Sequence, residues 1–313
     1  ASIIMARGLQ PVEMAVQNWR QMLGAQQAYK RLKQTFTEAA SEDPVSLPAP
    51  SQGLQVENIT VVTPGSRTPT LIDIRFQLTA GTALGIIGQS GCGKSTLARA
   101  LVGVWPPLRG VVALDHAPLS QWDRDTLGQH VGYLPQDVEL FEGTIAQNIA
   151  RFRAGASDEE VIAAAKTAGC HELILSFKDG YSTQLGDQGA RLSAGQRQRI
   201  ALARALFGDP FLIVLDEPNS NLDGYGDSAL NRAISTAKGR GAIVIIVAHR
   251  PSALSATDKL ALIENGRLAD FGDRDDVLKK VMRREKVDNI RPAQLPQPAQ
   301  VGTPPATSAN PAE

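Results

Sequence analysis

The chain has 313 residues, 42% of them hydrophobic, enough to build a core for one large domain or two ordinary ones. Its 32 Lys and Arg balance 32 Asp and Glu, so nothing in the charge calls for nucleic acid or an acidic surface as partner. Two cysteines far apart, Cys92 and Cys170, argue against a disulfide framework and fit a reducing cytoplasm.

No apolar run reaches the roughly 18 to 20 residues of a membrane-spanning helix, and no signal peptide is visible. The sequence starts at Ala1 rather than Met, so an excerpt or a processed product is expected, with any membrane spans before Ala1. The first segment, to Phe36, reads as a helix: Met5, Leu9, Val12, Val16, Trp19 and Leu23 follow steps of four and three along one face. Pro11 interrupts it and marks an expected kink. Past Leu23 the segment turns polar and basic at Lys30, Arg31 and Lys33. A linker rich in Pro and Ser, Ser41–Gly53, then marks a domain boundary.

From Leu54 to about Glu285, strands alternate with helical patterns. Val56–Thr63 and Leu71–Leu78 predict an antiparallel flank. Ala83–Ile87 predicts a short strand that ends in a glycine loop. Val131–Leu134, Phe211–Leu215 and Ala242–Ala248 are short and continuously apolar, as suits strands of a parallel sheet covered on both faces. Helical patterns lie between them, as βαβ crossovers require. The expected fold is α/β: a P-loop core with a mixed sheet, an antiparallel flank and a helical subdomain inserted at roughly Asp158–Lys178. Residues 286–313 are expected to form a disordered tail, because from Arg291 onward Pro recurs among Ala, Gln, Ser and Thr with almost nothing to bury.

Gly88-Gln89-Ser90-Gly91-Cys92-Gly93-Lys94-Ser95 matches the phosphate-loop pattern G-x-x-x-x-G-K-[ST]. It follows a predicted strand and opens a predicted helix, Thr96–Val102. Its glycines let backbone N–H groups turn inward toward phosphate oxygens, and the helix N-terminus adds favourable partial charge. Lys94 is placed to reach the β- and γ-phosphates, and the Ser95 hydroxyl to ligate Mg²⁺.

The strand Phe211–Leu215 runs straight into Asp216-Glu217. A carboxylate at the end of a buried strand can hold Mg²⁺, and the Glu beside it can orient and polarise the attacking water. Gln136 and His249 sit just past two other strand ends, the edge where ligands bind in open α/β sheets. Four strands are thus expected to deliver Lys94, Gln136, Glu217 and His249 to one rim as the catalytic set. Ser95, Gln136 and Asp216 are the expected metal ligands.

Leu192-Ser193-Ala194-Gly195-Gln196 resembles the signature of ATP-binding cassette (ABC) proteins, usually written LSGGQ. Arg197-Gln198-Arg199, Ala201–Ala205 and Asp209-Pro210 look like its usual continuation. Ser220-Asn221-Leu222-Asp223 looks like the D-loop, and Ala248-His249-Arg250 like the switch-histidine loop. The ordered motifs cover nearly all of Leu54–Glu285. The resemblance implies ATP and Mg²⁺ as ligands, ATP hydrolysis as the reaction, and a head-to-tail dimer of two copies. Each ATP would lie between the phosphate loop, Gly88–Thr96, of one copy and the signature residues Ser193, Ala194, Gly195 and Gln196 of the other, in a closed isologous arrangement; Gln136 and Asp223 are further expected nucleotide contacts.

Within that family the export branch fits best. Pro135-Gln136-Asp137, Leu140-Phe141, Gly143-Thr144-Ile145 and Asn148-Ile149 look like the Q-loop region of exporters. Gly186-Asp187-Gln188-Gly189 sits where exporters carry a loop that touches the membrane domain. The opening segment, with Arg7, Pro11, Asn18-Trp19-Arg20, Ala28-Tyr29 and Arg31-Leu32, is similar to the cytoplasmic end of the last membrane helix in type I secretion exporters of the protease, lipase and S-layer kind. That likeness implies that residues 1–40 end a transmembrane-domain helix. It also implies placement on the cytoplasmic face of the inner membrane, with the exporter's own transmembrane domain, a periplasmic adaptor and an outer-membrane channel as partners. Exporters of lipids or small molecules, and soluble ABC ATPases outside transport, are the rival readings. Three positions depart from the family pattern. Thr63 stands where many members stack an aromatic on adenine, Ala194 replaces a signature Gly, and Asp187 replaces the usual Glu of the exporter loop.

Overall fold

A computed structural model describes residues 18–19, 21–33, 47–186, 192–222, 224–248 and 254–290. It divides into two units, residues 1–47 with 121–123, and the remainder. In the first unit, residues 18–19 and 21–33 are helical (α1). Trp19, Met22, Leu23, Tyr29 and Leu32 of this segment are exposed. The expected apolar positions Met5 to Val16 and the kink at Pro11 lie outside the described residues. Among the described residues, no helix is long and apolar enough to cross a membrane.

The second unit opens with an antiparallel sheet of order β2-β1-β4-β5, built from β1 (Gly53–Val62), β2 (Pro69–Thr79), β4 (Arg109–Leu114) and β5 (Ala117–Pro118). In β2 the exposed Asp73, Arg75 and Gln77 alternate with the buried Ile74, Phe76 and Leu78, the period-two pattern of a sheet with one buried face. The Asp115 carboxylate accepts the N–H groups of Ser51, Gln52 and Gly53 at 2.6, 2.8 and 2.8 Å. That anchor starts β1 at Gly53, the last residue of the expected linker.

The main sheet has six strands in the order β12-β11-β3-β10-β9-β6. They are β3 (Ala83–Ile87), β6 (Val131–Leu134), β9 (Leu212–Asp216), β10 (Ile243–Val247), β11 (Lys259–Glu264) and β12 (Arg267–Asp273). All pairings are parallel except that of β12. Every residue of β9 and β10 is buried, which is why these segments read as unbroken apolar runs. One boundary matters for the site. β9 spans Leu212–Asp216 rather than the expected Phe211–Leu215, so Asp216 is a paired strand residue.

Helices α2 (Lys94–Leu101), α3 (Arg124–His130), α7 (Ala194–Leu206), α8 (Gly224–Gly239) and α9 (Arg274–Ile290) complete the α/β core. Between β6 and α7 lie the short helices α4 (Ile145–Ile149), α5 (Asp158–Thr167) and α6 (His171–Leu175), and the two-stranded ribbon of β7 (Gly143–Thr144) and β8 (Gln184–Leu185). This helical group starts earlier than the expected Asp158, because Thr144 and Gln147 form a capping box that nucleates α4. Ser157 and Glu160 cap α5 in the same way. Helix α9 continues through Ile290, past the expected boundary at 285; Arg291–Glu313 lie outside the described residues.

Two contacts fix α7 against the sheet. The half-buried Arg151 guanidinium donates to the carbonyls of Gly128, Val131, Arg204 and Ala205 at 2.7, 2.9, 2.8 and 3.1 Å, tying the last turn of α7 to the start of β6. Burial, with the nearby Arg204 and Arg153, lowers its pKa to about 10, so it stays charged at neutral pH. At Gly132 in β6 the Ala205 carbonyl comes so close that a Cβ would overlap it. Gly132→Ala is therefore expected to lower the unfolding free energy by about 1–3 kcal/mol. Gly128→Ala, where the added methyl meets nothing within 4 Å, is expected to be neutral or stabilising by up to about 1 kcal/mol through helix propensity. Urea titrations of the two variants give the comparison.

Candidate functional site

The phosphate loop hangs between β3 and α2. Helix α2 begins at Lys94, earlier than the expected Thr96, and its N-cap is Gly93 at φ 106°. An L side chain there would be strained, and its Cβ would also sit 2.7 Å from Leu71 Cδ2. No side chain caps α2, so its first N–H groups are left to an anion. Gln89, Ser90 and Gly91 form the exposed tip, Gly88 and Cys92 are half-buried, and Thr96 is buried beneath.

Lys94 is only 5% exposed. Its ammonium lies across the loop and donates to the Gly88 and Gln89 carbonyls at 2.9 and 2.8 Å. A phosphate oxygen offers the same cation a stronger, charge-assisted acceptor.

Asp216 is 1% exposed, and neither carboxylate oxygen has a hydrogen-bond partner of good geometry. Burial raises its pKa and Glu217 adds to the rise, while the nearby Ser95 hydroxyl, Arg99 and Lys94 oppose it. A buried carboxylate without donors is costly unless something cationic satisfies it. Mg²⁺ takes oxygen ligands in an octahedral shell, with one or two from protein and the rest from phosphate and water. Ser95 and Asp216 fit that demand. No cluster of three or more His, Cys, Asp or Glu able to hold a metal occurs among the described residues, so the protein contribution here is small and a phosphate would share the ion.

Register brings the rim together. Ile86 of β3, Val247 of β10 and Asp216 of β9 lie side by side, and Leu134 of β6 pairs with Leu215. The strand ends that lead to Lys94, Glu217, Gln136 and His249 therefore reach one edge of the sheet. Gln136 is exposed in a bend just past β6. His249 and Asp223 lie outside the described residues, as does Asp187.

Glu217 is half-buried and holds φ 52°, the left-handed region. Non-glycine residues adopt it rarely and at a cost of about 1–3 kcal/mol, where surroundings impose it. Its N–H donates to the Val247 carbonyl at 3.0 Å.

Ser193 caps α7 in a third capping box: its hydroxyl accepts from Gln196 N–H at 3.2 Å, and Gln196 Oε1 accepts from Ser193 N–H at 2.8 Å. Ala194 is exposed at the first helical position, where its methyl has room. Gly195 has none: a Cβ there would approach the Asn221 carbonyl to 2.8 Å. Thr63, half-buried, receives the Thr70 hydroxyl at 3.5 Å. A threonine pair, not a ring, thus stands beside the Leu71 contact with Gly93.

Gln198 enters the sequence reading only within the continuation of the signature, with no role of its own. It is buried on α7 and bonds to the loop that follows Asp216. Its signal was present in the sequence. Gln198 shares the helical phase of Ala201, Leu202 and Ala205, all buried, and a polar residue on an apolar face needs partners.

The sequence profile of the ABC transporter family matches residues 71–220. The chain is 53% identical over 288 residues to the type I secretion system ATP-binding protein PrsD of Rhizobium meliloti (strain 1021), covering 92% of this chain and 50% of that protein. It is 39% identical over 215 residues to the heavy metal tolerance protein of Schizosaccharomyces pombe (strain 972 / ATCC 24843), covering 68% of this chain and 26% of that one. Among solved structures, a bacterial Atm1-family ABC exporter with ATP bound is similar, with a TM-score of 0.70 and 28% identity, covering 92% of this chain and 52% of that chain. The chain thus spans about half the length of the first relative and of the exporter, and about a quarter of the second.

The raised pKa of Asp216 means that the native state holds that proton more tightly than the unfolded chain does. Its stabilising contribution is present at low pH and is lost as pH rises from the unfolded carboxylate value through the native one. At neutral pH the ionised group therefore costs stability. Asp216→Asn is expected to raise the unfolding free energy of the ligand-free chain by on the order of 1 kcal/mol, and to abolish the further stabilisation that Mg²⁺ with a nucleoside triphosphate gives the native chain. Urea unfolding with and without both ligands measures the two effects.

Proposed function

Because this chain belongs to the ABC transporter family, as an ATP-binding domain, we propose that it hydrolyses ATP to power an exporter of the type I secretion kind. The observation that carries the reading is the pair of buried, oppositely charged groups at one sheet edge: Lys94 on the loop carbonyls, and Asp216 with no hydrogen bond of good geometry and the Ser95 hydroxyl nearby.

In this reading the loop Gly88–Gly93 and the first turn of α2, with Ser95 and Thr96, enclose the phosphates with backbone N–H groups. Lys94 leaves the Gly88 and Gln89 carbonyls for the β- and γ-phosphate oxygens. Ser95 and Asp216 would hold Mg²⁺, with Gln136 beside them. The ion, when bound, neutralises charge on the phosphates. Glu217 accepts a hydrogen bond from the attacking water and aligns it with the γ-phosphorus, and His249 assists from the neighbouring strand end.

The exposed N-terminus of α7, with Ser193, Ala194, Gly195 and Gln196, faces the γ-phosphate held by a second copy, with Asp223 close by. Two ATP molecules are shared between two chains, so binding closes the dimer and hydrolysis releases it. Closure moves the membrane helices of the same exporter. Residues 1–40 would join this domain to those helices at the cytoplasmic face of the inner membrane. The relative at 53% identity is named as the ATP-binding protein of a type I secretion system, which supports that kind of export; protein cargo, a periplasmic adaptor and an outer-membrane channel belong to the proposal. A small-molecule exporter is the second reading, supported by the likeness to the heavy metal tolerance protein.

The test is ATPase rate against chain concentration. The rate per chain is expected to rise with concentration and then level off. Glu217→Gln is expected to lower the plateau by about 10²–10⁴-fold while ATP affinity stays within about twofold. A rate per chain independent of concentration would refute the shared site.

A further inference from the structure

Gln198 is 2% exposed, and both ends of its amide bond to one loop. Nε2 donates to the Pro218 carbonyl at 2.6 Å and the Glu217 carbonyl at 3.1 Å, and stands 3.4 Å from Ser220 Oγ. Oε1 accepts the Asn221 N–H at 3.0 Å. Carbonyls only accept and a backbone N–H only donates, so these partners fix which way the amide points. One side chain of α7 therefore grips both ends of residues 217–221.

A second contact joins the same two pieces, the close approach of Gly195 to the Asn221 carbonyl. Within the loop, Ser220 N–H returns to the Glu217 carbonyl at 3.2 Å, while Glu217 N–H is held by Val247. Glu217 is the residue at φ 52°. Such a conformation persists only where surrounding groups over-determine it, and the Gln198 amide is one of the groups bonded to its peptide.

We propose that Gln198 is a positioning residue for hydrolysis: it holds Glu217 in its left-handed conformation and ties that conformation to the first turn of α7. The inference rests on the reading of Glu217 as the residue that aligns water, and goes beyond it. Ser193 and Gln198 are separated by about 7.5 Å of helix rise, within one rigid element. A phosphate from a second copy that engages Ser193–Gln196 pulls on the same helix that orients Glu217. Each site of the pair then senses whether the other is occupied through α7 and this one amide. In this proposal Gln198 acts through Glu217 and not on the reacting atoms.

The experiment compares the native chain with Gln198→Met, Gln198→Glu and Glu217→Gln, measuring kcat, KM, ATP affinity and the unfolding midpoint for each. Met keeps the volume and removes every hydrogen bond. Glu keeps the acceptor for Asn221 but sets an oxygen against two carbonyl oxygens. The second variant keeps the inference testable should the first fold poorly. The expected result is a loss of kcat by about 10–100-fold in each folded variant, with KM and ATP affinity within about twofold of native. A purely structural role would instead move ATP affinity and the folded fraction together with kcat, and that pattern overturns the proposal. So does native kcat in either Gln198 variant when Glu217→Gln is inactive. A native rate in Glu217→Gln itself would remove the role of Glu217, and the inference built on it.

Discussion

Asp216 closes a strand that is buried along its whole length, and its carboxylate meets no donor at hydrogen-bonding geometry. Across the same sheet edge, Lys94 keeps a buried ammonium on two loop carbonyls. The low-dielectric surroundings that make an uncompensated charge costly here would also strengthen the hold on an oppositely charged ligand placed beside it. The strand register, the uncapped α2 and the left-handed Gly93 all serve to hold these two charges in place.

The helix that opens at Ser193 has a different task. Its outer end is a capped, exposed turn, while its inner face packs on β6 and its last turn is held by Arg151. Between the two ends, Gln198 grips the loop that carries Glu217. A rigid rod anchored at three places transmits displacement better than a flexible segment does, because helix hydrogen bonds resist bending over two or three turns. The fold thus offers a mechanical path from an exposed helix terminus to a backbone conformation beside Asp216.

Departures from the family pattern sort by space. Ala194 sits where a methyl is free, so it changes little in the helix it starts. Gly195, one residue on, has backbone pressed against it. Thr63, the third departure, is half-buried and pairs its hydroxyl with that of Thr70.

The sequence by itself determined the phosphate loop, because Gly88–Ser95 is a local motif whose strand–loop–helix context lies within one stretch of chain. It also determined the apolar strands β3, β6, β9 and β10, since burial on both faces leaves a continuous apolar run. It did not reveal that Asp216 belongs to β9, because one residue of register is invisible where the preceding residues are all apolar. Nor did it reveal Arg151 as a clasp or Gln198 as a brace. Arg151 donates to carbonyls in Gly128, Val131, Arg204 and Ala205, and Gln198 to those of Glu217 and Pro218. A backbone carbonyl carries no residue identity, so a side chain that recognises only backbone leaves no partner to read in the sequence. Those bonds exist only once the sheet has brought distant segments together, and that step was decided by the tertiary structure alone.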